Sequence, residues 1–205
     1  MIELFVATPV AWVIFVITIA VSLLAFSNEH LYHRFMLHPY SAYRGQETYT
    51  VITSGFIHRD WMHLIFNMMT FYFFAFTLER YLGHWQFGLL YMLSLILSDL
   101  PTVYKHRDDY GYHSLGASGA ISAVVFSCIL FQPLAGMYLM FIPIAIPAWL
   151  FGLLYLVYCW YASKQSRDTI NHDAHFFGAL SGIVITIVLN HHVVNDFLQQ
   201  FGVGK

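Results

Sequence analysis

Long apolar runs separated by short polar connections dominate the sequence. A helix needs about 20 mostly apolar residues to cross the hydrocarbon core of a bilayer. Six runs approach or exceed that length, and the short connections leave no room for a separate soluble domain. The pattern predicts an all-α polytopic membrane protein with one domain, residues 1–205. The predicted spans lie near 6–26, 61–80, 85–104, 115–132, 135–161 and 174–192.

Composition supports a membrane location. Of the 205 residues, 59% are hydrophobic and only 10% are charged, whereas a soluble domain is about one quarter charged. The formal net charge of -2 gives no sign of nucleic-acid binding. Cys128 and Cys159 fall inside apolar runs, so we expect both to be buried thiols. The expected partner is therefore the lipid bilayer and not a nucleic acid.

Charged and imidazole side chains gather in three segments, 28–60, 105–113 and 163–175. These segments connect spans 1–2, 3–4 and 5–6, so they share one face if the helices alternate in direction. The rule that cytoplasmic loops carry an excess of Lys and Arg predicts that this face is cytoplasmic. Its basic residues are Arg34, Arg44, Arg59, Lys105, Arg107, Lys164 and Arg167, against Arg80 and Lys205 on the other face.

The segment HSLGASGAIS, residues 113–122, places Ser118 at the start of the fourth span. From Ser118 to the polar Gln132 is about 14 residues, or about 21 Å of helix, which is shorter than the roughly 30 Å hydrocarbon core. The helix is thus predicted to begin inside the membrane, where free N–H groups at its start favour negative charge. Ser118 is a candidate nucleophile. Alternatively, its hydroxyl bonds its own backbone, or the small residues only pack helices together.

His175 opens the sixth span in the segment NHDAHFFGALSG. Gly178 and Gly182 follow on one helical face, which lets a neighbouring helix approach closely. If that neighbour is the fourth span, His175 meets Ser118 as a general base beside a nucleophile. Asp173 is turned away by its spacing, so a dyad is expected. The alternative is an interfacial histidine without a catalytic role.

His63 and Asn67, four residues apart in the second span, share a helical face. Their side-chain donors could stabilise an oxyanion, a contribution of about 3–4 kcal/mol each. Hydrogen bonds that only hold helices together, worth about 1 kcal/mol or less, explain the spacing equally well.

Taken together, these segments resemble the rhomboid family of intramembrane serine proteases. The resemblance runs from about residue 44 to residue 182, and its parts stand in the family's order. They are RGQETYTVITSGFIHRDWMHLIFNM, LERYLG at 78–83, FGLLYMLS at 87–94, GASGAISAV at 116–124 and AHFFGALSG at 174–182.

The resemblance implies a six-transmembrane-helix rhomboid-like bundle with a short central helix 4. It also implies a role for each matching residue. Ser118 is the nucleophile and His175 the general base, while His63, Asn67 and the Ser118 backbone N–H form the oxyanion hole. His58 supports the cavity, and Glu79 and Arg80 are structural. The supporting glycines are Gly116, Gly119, Gly178 and Gly182.

The implied activity is a serine endopeptidase that cleaves transmembrane segments through an acyl-enzyme, without a cofactor or a metal. The implied substrates are single-span membrane proteins, which enter beside helices 2 and 5 under the polar loop at 162–173. The implied location is a bacterial inner membrane with the active site on the extracytoplasmic face, opposite to the orientation that the basic residues predict.

Two other classes stay open. A non-catalytic rhomboid-like protein would bind membrane helices without cleaving them. Ser122 offers this class modest support, because the family often has an aromatic residue there that stacks on the base. A His-rich membrane metalloenzyme is suggested by 12 histidines and by pairs such as His30 with His33 and His172 with His175, although H-E-x-x-H is absent from the sequence.

Overall fold

Helices form most of the protein in the computed structural model, which describes residues 6–139, 142–165 and 170–203. A short 3₁₀ turn, Ser54–Phe56, precedes the fifth helix. In chain order the helices are α1 (Pro9–Ser27), α2 (Glu29–Phe35), α3 (Pro39–Tyr43), α4 (Thr50–Thr53), α5 (Trp61–Leu82), α6 (His84–Lys105), α7 (Ser118–Phe131), α8 (Ala148–Gln165), α9 (His172–Leu189) and α10 (Val193–Gln200). Part of the predicted polar loop at 162–173, residues 166–169, lies outside the described residues.

Within the part of the chain that the structure describes, four helices, α1, α5, α6 and α9, are long and apolar enough to cross a membrane, and α7 is a shorter apolar helix. Each of them overlaps a predicted span. The all-α polytopic membrane architecture is therefore confirmed, while the number of six spans remains a prediction. Three short helices, α2 to α4, occupy the polar segment that precedes α5.

The fifth predicted span, near 135–161, differs from the structure. Residues Gly136–Leu139 and Ile142–Pro147 form an antiparallel β-hairpin, strands β1 and β2, and α8 begins only at Ala148. The sequence IPIAIP explains the difference. Pro143 and Pro147 supply no backbone N–H and disfavour a helical conformation in the residue before each of them.

Helix α7 is the centre of the bundle, because every residue from Gly119 to Ile129 is buried. It packs against α5, α6, α8 and α9. Its contact with α9 depends on glycine: a Cβ at Gly178 would lie 2.2 Å from the Gly119 oxygen, and one at Gly182 would lie 2.3 Å from the Ala123 oxygen. These two glycines let the backbones touch and bring the start of α9 beside the start of α7.

Glu79, near the C-terminal end of α5, binds the first turn of α1. Its buried carboxylate accepts the backbone N–H groups of Val10 at 3.1 Å and Ala11 at 2.7 Å, and it lies 2.7 Å from His84 Nδ1. Because the first N–H groups of a helix lack intrahelical acceptors, a buried carboxylate there satisfies them. This contact gives Glu79 the structural place expected for it.

Candidate active site

The chain enters α7 through a glycine that no other residue could replace without strain. Gly116 has a φ of +119°, and a Cβ there would lie 2.6 Å from His63 Cε1. Its N–H donates to the Ser54 oxygen at 2.9 Å, which ties the entry to the turn before α5. The backbone then becomes helical at Ser118, whose hydroxyl stands among the free N–H groups of a helix start.

Ser118 meets His175 across the contact between α7 and α9. The Ser118 Oγ lies 2.7 Å from His175 Nε2, and both residues are half-buried. Asn171 fixes the first turn of α9: its Oδ1 accepts the Ala174 N–H at 3.0 Å, and its side chain also bonds Thr102 and Ser114. The first turn of α9, which carries His175, is therefore hydrogen-bonded to α6 through Thr102 and to the segment before α7 through Ser114.

Asp173 is not directed at the dyad. Its carboxylate pairs with Lys105 at the end of α6. The structure thus places Asp173 in an ion pair with Lys105, and the catalytic dyad of Ser118 and His175 stays a prediction.

An aromatic ring does lie against the imidazole, but it comes from α8. The rings of Tyr155 and His175 are nearly parallel, 16° apart, with centroids separated by 6.4 Å. The Tyr155 hydroxyl is 3.1 Å from the Ser122 hydroxyl. Ser122 therefore leaves space for Tyr155 and binds its polar end. Sequence reasoning missed Tyr155, because nothing in its local pattern shows which helix it faces.

His63 and Asn67 lie on α5 and line the same cavity as the Ser118–His175 pair. The Arg59 N–H approaches His63 Nδ1 at 3.4 Å, which favours a proton on Nε2, the ring nitrogen nearer to Gly116 in the cavity wall. Asn67 Nδ2 donates to the His63 oxygen at 3.0 Å, so one of its two amide hydrogens remains for another acceptor. Both side chains can present N–H groups to the cavity.

The start of α5 is fixed by Asp60 and His58. Asp60 accepts the His63 N–H at 2.8 Å, and this bond, with that from Arg59, holds the pKa of the Asp60 carboxyl below its usual range. His58 is fully buried, with Nδ1 2.9 Å from the Ser22 hydroxyl of α1 and its ring 4.9 Å from that of His63. Burial, and then the neighbouring His63, lower the pKa of His58 to about 3. His58 is thus a neutral support behind His63.

The cavity has a volume of about 1090 Å³ and reaches from Ser118 to polar residues at one end of the bundle, such as Lys105 and His113. Its wall includes Asp99, a buried carboxyl on α6 that sequence reasoning did not single out. An ionisable residue inside a predicted span was the signal that could have found it. The cavity therefore exposes several polar groups inside a bundle of candidate membrane spans.

Among the described residues, one group of side chains could hold a metal ion: ligand atoms of Cys159, His172 and His175 lie within 4.8 Å of one another. The other histidine pair considered from the sequence, His30 and His33, is exposed on α2. The pair His172 and His175 was considered from the sequence, and Cys159 was not predicted as its neighbour.

Comparison with known proteins supports the resemblance seen in the motifs. A family model described as a Rhomboid domain matches residues 45–192. RHOMBOID-like protein 12, mitochondrial, of Arabidopsis thaliana is 27% identical over 169 residues, 75% of this chain and 50% of that protein.

Two further relatives cover smaller parts. YdcA of Bacillus subtilis (strain 168), named as a candidate rhomboid protease, is 40% identical over 75 residues, which is 37% of each chain. Rhomboid protein 1, mitochondrial, of Saccharomyces cerevisiae is 28% identical over 138 residues, 66% of this chain and 40% of that protein. The chain thus spans half or less of the length of these three relatives.

Proposed function

This chain belongs to the rhomboid family, and we propose that it is a serine endopeptidase that cleaves transmembrane segments of membrane proteins. The observation that carries the proposal is the 2.7 Å contact between Ser118 Oγ and His175 Nε2 at the wall of a cavity inside an apolar bundle. A hydroxyl bonded to a basic nitrogen, with N–H donors nearby, is the arrangement that acyl transfer requires.

In the acylation step, Ser118 Oγ attacks the carbonyl carbon of the scissile peptide while His175 Nε2 takes the hydroxyl proton. The tetrahedral intermediate then collapses. The C–N bond breaks, the leaving amine takes the proton from His175, and the acyl group stays on Ser118 as an ester.

In the second step, water attacks the ester and gives its proton to His175. Collapse of this intermediate breaks the bond to Ser118 and returns the proton to the serine oxygen. The product with the new carboxylate leaves, and the dyad is restored.

The oxyanion of both intermediates requires donors that are already in place. The Ser118 backbone N–H lies at the helix start, and His63 and Asn67 lie on the same cavity wall. Donors fixed in this way stabilise charge that develops in the transition state, because they need no rearrangement when the reaction occurs.

The substrates we propose are single-span membrane proteins. The nucleophile lies at the start of the short helix α7, within a bundle of candidate membrane spans. A segment that unwinds inside the bilayer can present its peptide carbonyl to the cavity, where the cavity's polar groups replace the backbone hydrogen bonds that it loses.

We further propose a bacterial inner membrane, with the cavity opening to the extracytoplasmic face. Of the three relatives described above, one is bacterial and two are named as mitochondrial. The basic residues favour the opposite orientation.

A membrane-impermeant maleimide tests the orientation. The variant Gly111→Cys places a thiol at an exposed position near the cavity. Labelling of this thiol on intact cells supports the proposed orientation, and labelling only after lysis contradicts it.

Cleavage of a model transmembrane substrate in liposomes tests the activity. We expect the wild type to cut it and Ser118→Ala and His175→Ala to lose the activity. Specific binding of the substrate without cleavage would instead place the chain among non-catalytic rhomboid-like proteins.

A further inference from the structure

A thiol and two imidazoles meet beside the dyad. Cys159 projects from α8, and His172 and His175 project from the first turn of α9. Cys159 and His172 are buried, and His175 is half-buried. The three ligand atoms lie within 4.8 Å of one another. In a zinc site, with Zn–S near 2.3 Å and Zn–N near 2.1 Å, the donor atoms stand about 3.5 Å apart. Shifts of about 1 Å in the positions of the donor atoms would therefore bring the three side chains to the spacing of a zinc site.

The donor set selects the kind of ion. One sulfur and two imidazole nitrogens are soft or borderline ligands, which suit Zn²⁺, whereas Mg²⁺ and Ca²⁺ prefer oxygen. The nearest carboxylate on α9, that of Asp173, is paired with Lys105. Three protein ligands leave a fourth position for water or another oxygen.

An ion can reach the group through the cavity. His172 and His175 both line it, together with Ser118. Ser118 Oγ lies 2.7 Å from His175 Nε2. The site would thus share His175 with the catalytic pair.

We propose that Cys159, His172 and His175 form a zinc site that switches the protease off. Binding converts the Cys159 thiol to a thiolate and releases its proton to solvent. If zinc binds His175 Nε2, it occupies the lone pair that would take the Ser118 proton. If it binds Nδ1, the ring proton stays on Nε2, which then has no lone pair for that purpose. Either geometry removes the general base. The inhibition, although not the binding, rests on the proposed proteolytic function.

Cobalt binding tests the site without any activity measurement. Co²⁺ titrated into the purified full-length protein should produce the near-ultraviolet sulfur-to-cobalt charge-transfer absorption with one ion per chain. Cys159→Ser, a substitution of similar size, should lose this absorption, and His172→Gln should weaken it. The double variant His191→Ala/His192→Ala removes a histidine pair far along the chain and should retain it. Absence of the absorption in the wild type overturns the site even if a variant fails to fold.

Zinc inhibition tests the consequence. With each variant normalised to its own zinc-free rate, Cys159→Ser should raise the half-inhibitory zinc concentration by about tenfold or more, and the His191/His192 variant should match the wild type. Equal inhibition of Cys159→Ser, or activity that requires zinc and is abolished by a chelator, contradicts the proposal. A wild type that binds cobalt through sulfur but cleaves nothing, with or without zinc, would contradict the proposed protease function and leave the metal site standing.

Discussion

At the residue scale, the imidazole of His175 is constrained on two sides. Its Nε2 bonds the Ser118 hydroxyl, and the Tyr155 ring lies nearly parallel to it. The Ser122 hydroxyl holds the Tyr155 hydroxyl, so the tyrosine cannot swing away without losing that bond. Contacts of this kind supply the alignment that proton transfer needs.

Removal of the Tyr155 ring should therefore affect turnover more than substrate binding. We expect Tyr155→Leu to lower kcat by about tenfold with little change in KM, and Tyr155→Phe to restore most of the rate because the ring remains. Tyr161→Leu, at an exposed position of the same helix, is the matched control and should behave as wild type. Equal kcat in Tyr155→Leu and wild type, measured on a transmembrane substrate, would show that the ring does not orient the base.

Gly116 offers a second test at one residue. Alanine there combines a strained positive φ with a Cβ 2.6 Å from His63 Cε1, so the imidazole must move from the cavity wall. Loss of one oxyanion donor costs about a hundredfold in kcat, and we expect a fall of that order.

Gly45→Ala is the control for the strain alone, because Gly45 also has a positive φ, of +74°, with nothing within 4 Å of an added Cβ. It should lose about 1 kcal/mol of stability and retain its kcat. If both alanine variants have the same kcat, His63 is not displaced or does not serve the reaction.

Residue patterns explain part of this site. The glycines after His175 predicted a close helix contact, and the structure has that contact at Gly178 and Gly182. The contact of Tyr155 could not be predicted from the sequence. Its residue number gives its place along α8, but it does not show which face of α7 the side chain meets. Ser122 predicted a missing aromatic, and the structure places one there from another helix.

At the scale of elements, the contact of α7 with α9 sets the distance between Ser118 and His175. We expect Gly178→Ala to separate the two helices, since the added Cβ would lie 2.2 Å from the Gly119 oxygen. Overpacking of this kind costs about 1–3 kcal/mol, and the rate should fall with it.

Gly88→Ala is the matched control, because its Cβ would meet only a Val10 side-chain carbon at 3.3 Å, in a different contact. Thermal unfolding and kcat should both be nearly those of the wild type. A stable Gly178→Ala protein with full kcat would mean that the close contact does not position the dyad.

Apolar run length predicted the long helices well, because a span must satisfy its backbone internally and so becomes helical. The prediction differs from the structure at Gly136–Leu139 and Ile142–Pro147, which are strands, because the apolar run there contains prolines that favour extended backbone. The short helices α2 to α4 were also not predicted, since their polar sequence carries no helical apolar period.

At the scale of the whole molecule, His58 joins α1 to the segment before α5 through Ser22, and its burial makes stability depend on pH. The native pKa of about 3 lies below the value near 6.5 of an unfolded chain. The unfolded state therefore binds the proton more readily between these values. Stability should be unaffected by this group above about pH 6.5 and should fall by about 1.4 kcal/mol per pH unit below it.

His58→Asn retains a hydrogen-bonding side chain but does not titrate in this window. Thermal unfolding from about pH 7 to about pH 5 should show a shallower loss of stability in the variant than in the wild type. The same slope in both proteins would assign the acid sensitivity to other groups.

The proposed proteolytic activity depends on Ser118 being an activated nucleophile inside a membrane bundle. Mass spectrometry of the purified protein after reaction with a fluorophosphonate probe measures this directly. We expect one adduct, on Ser118, in the wild type, much slower formation in His175→Ala, and no adduct in Ser118→Ala. Labelling that is unchanged in Ser118→Ala, or a wild type that stays unlabelled while it cleaves a transmembrane substrate, would contradict the assignment of the nucleophile.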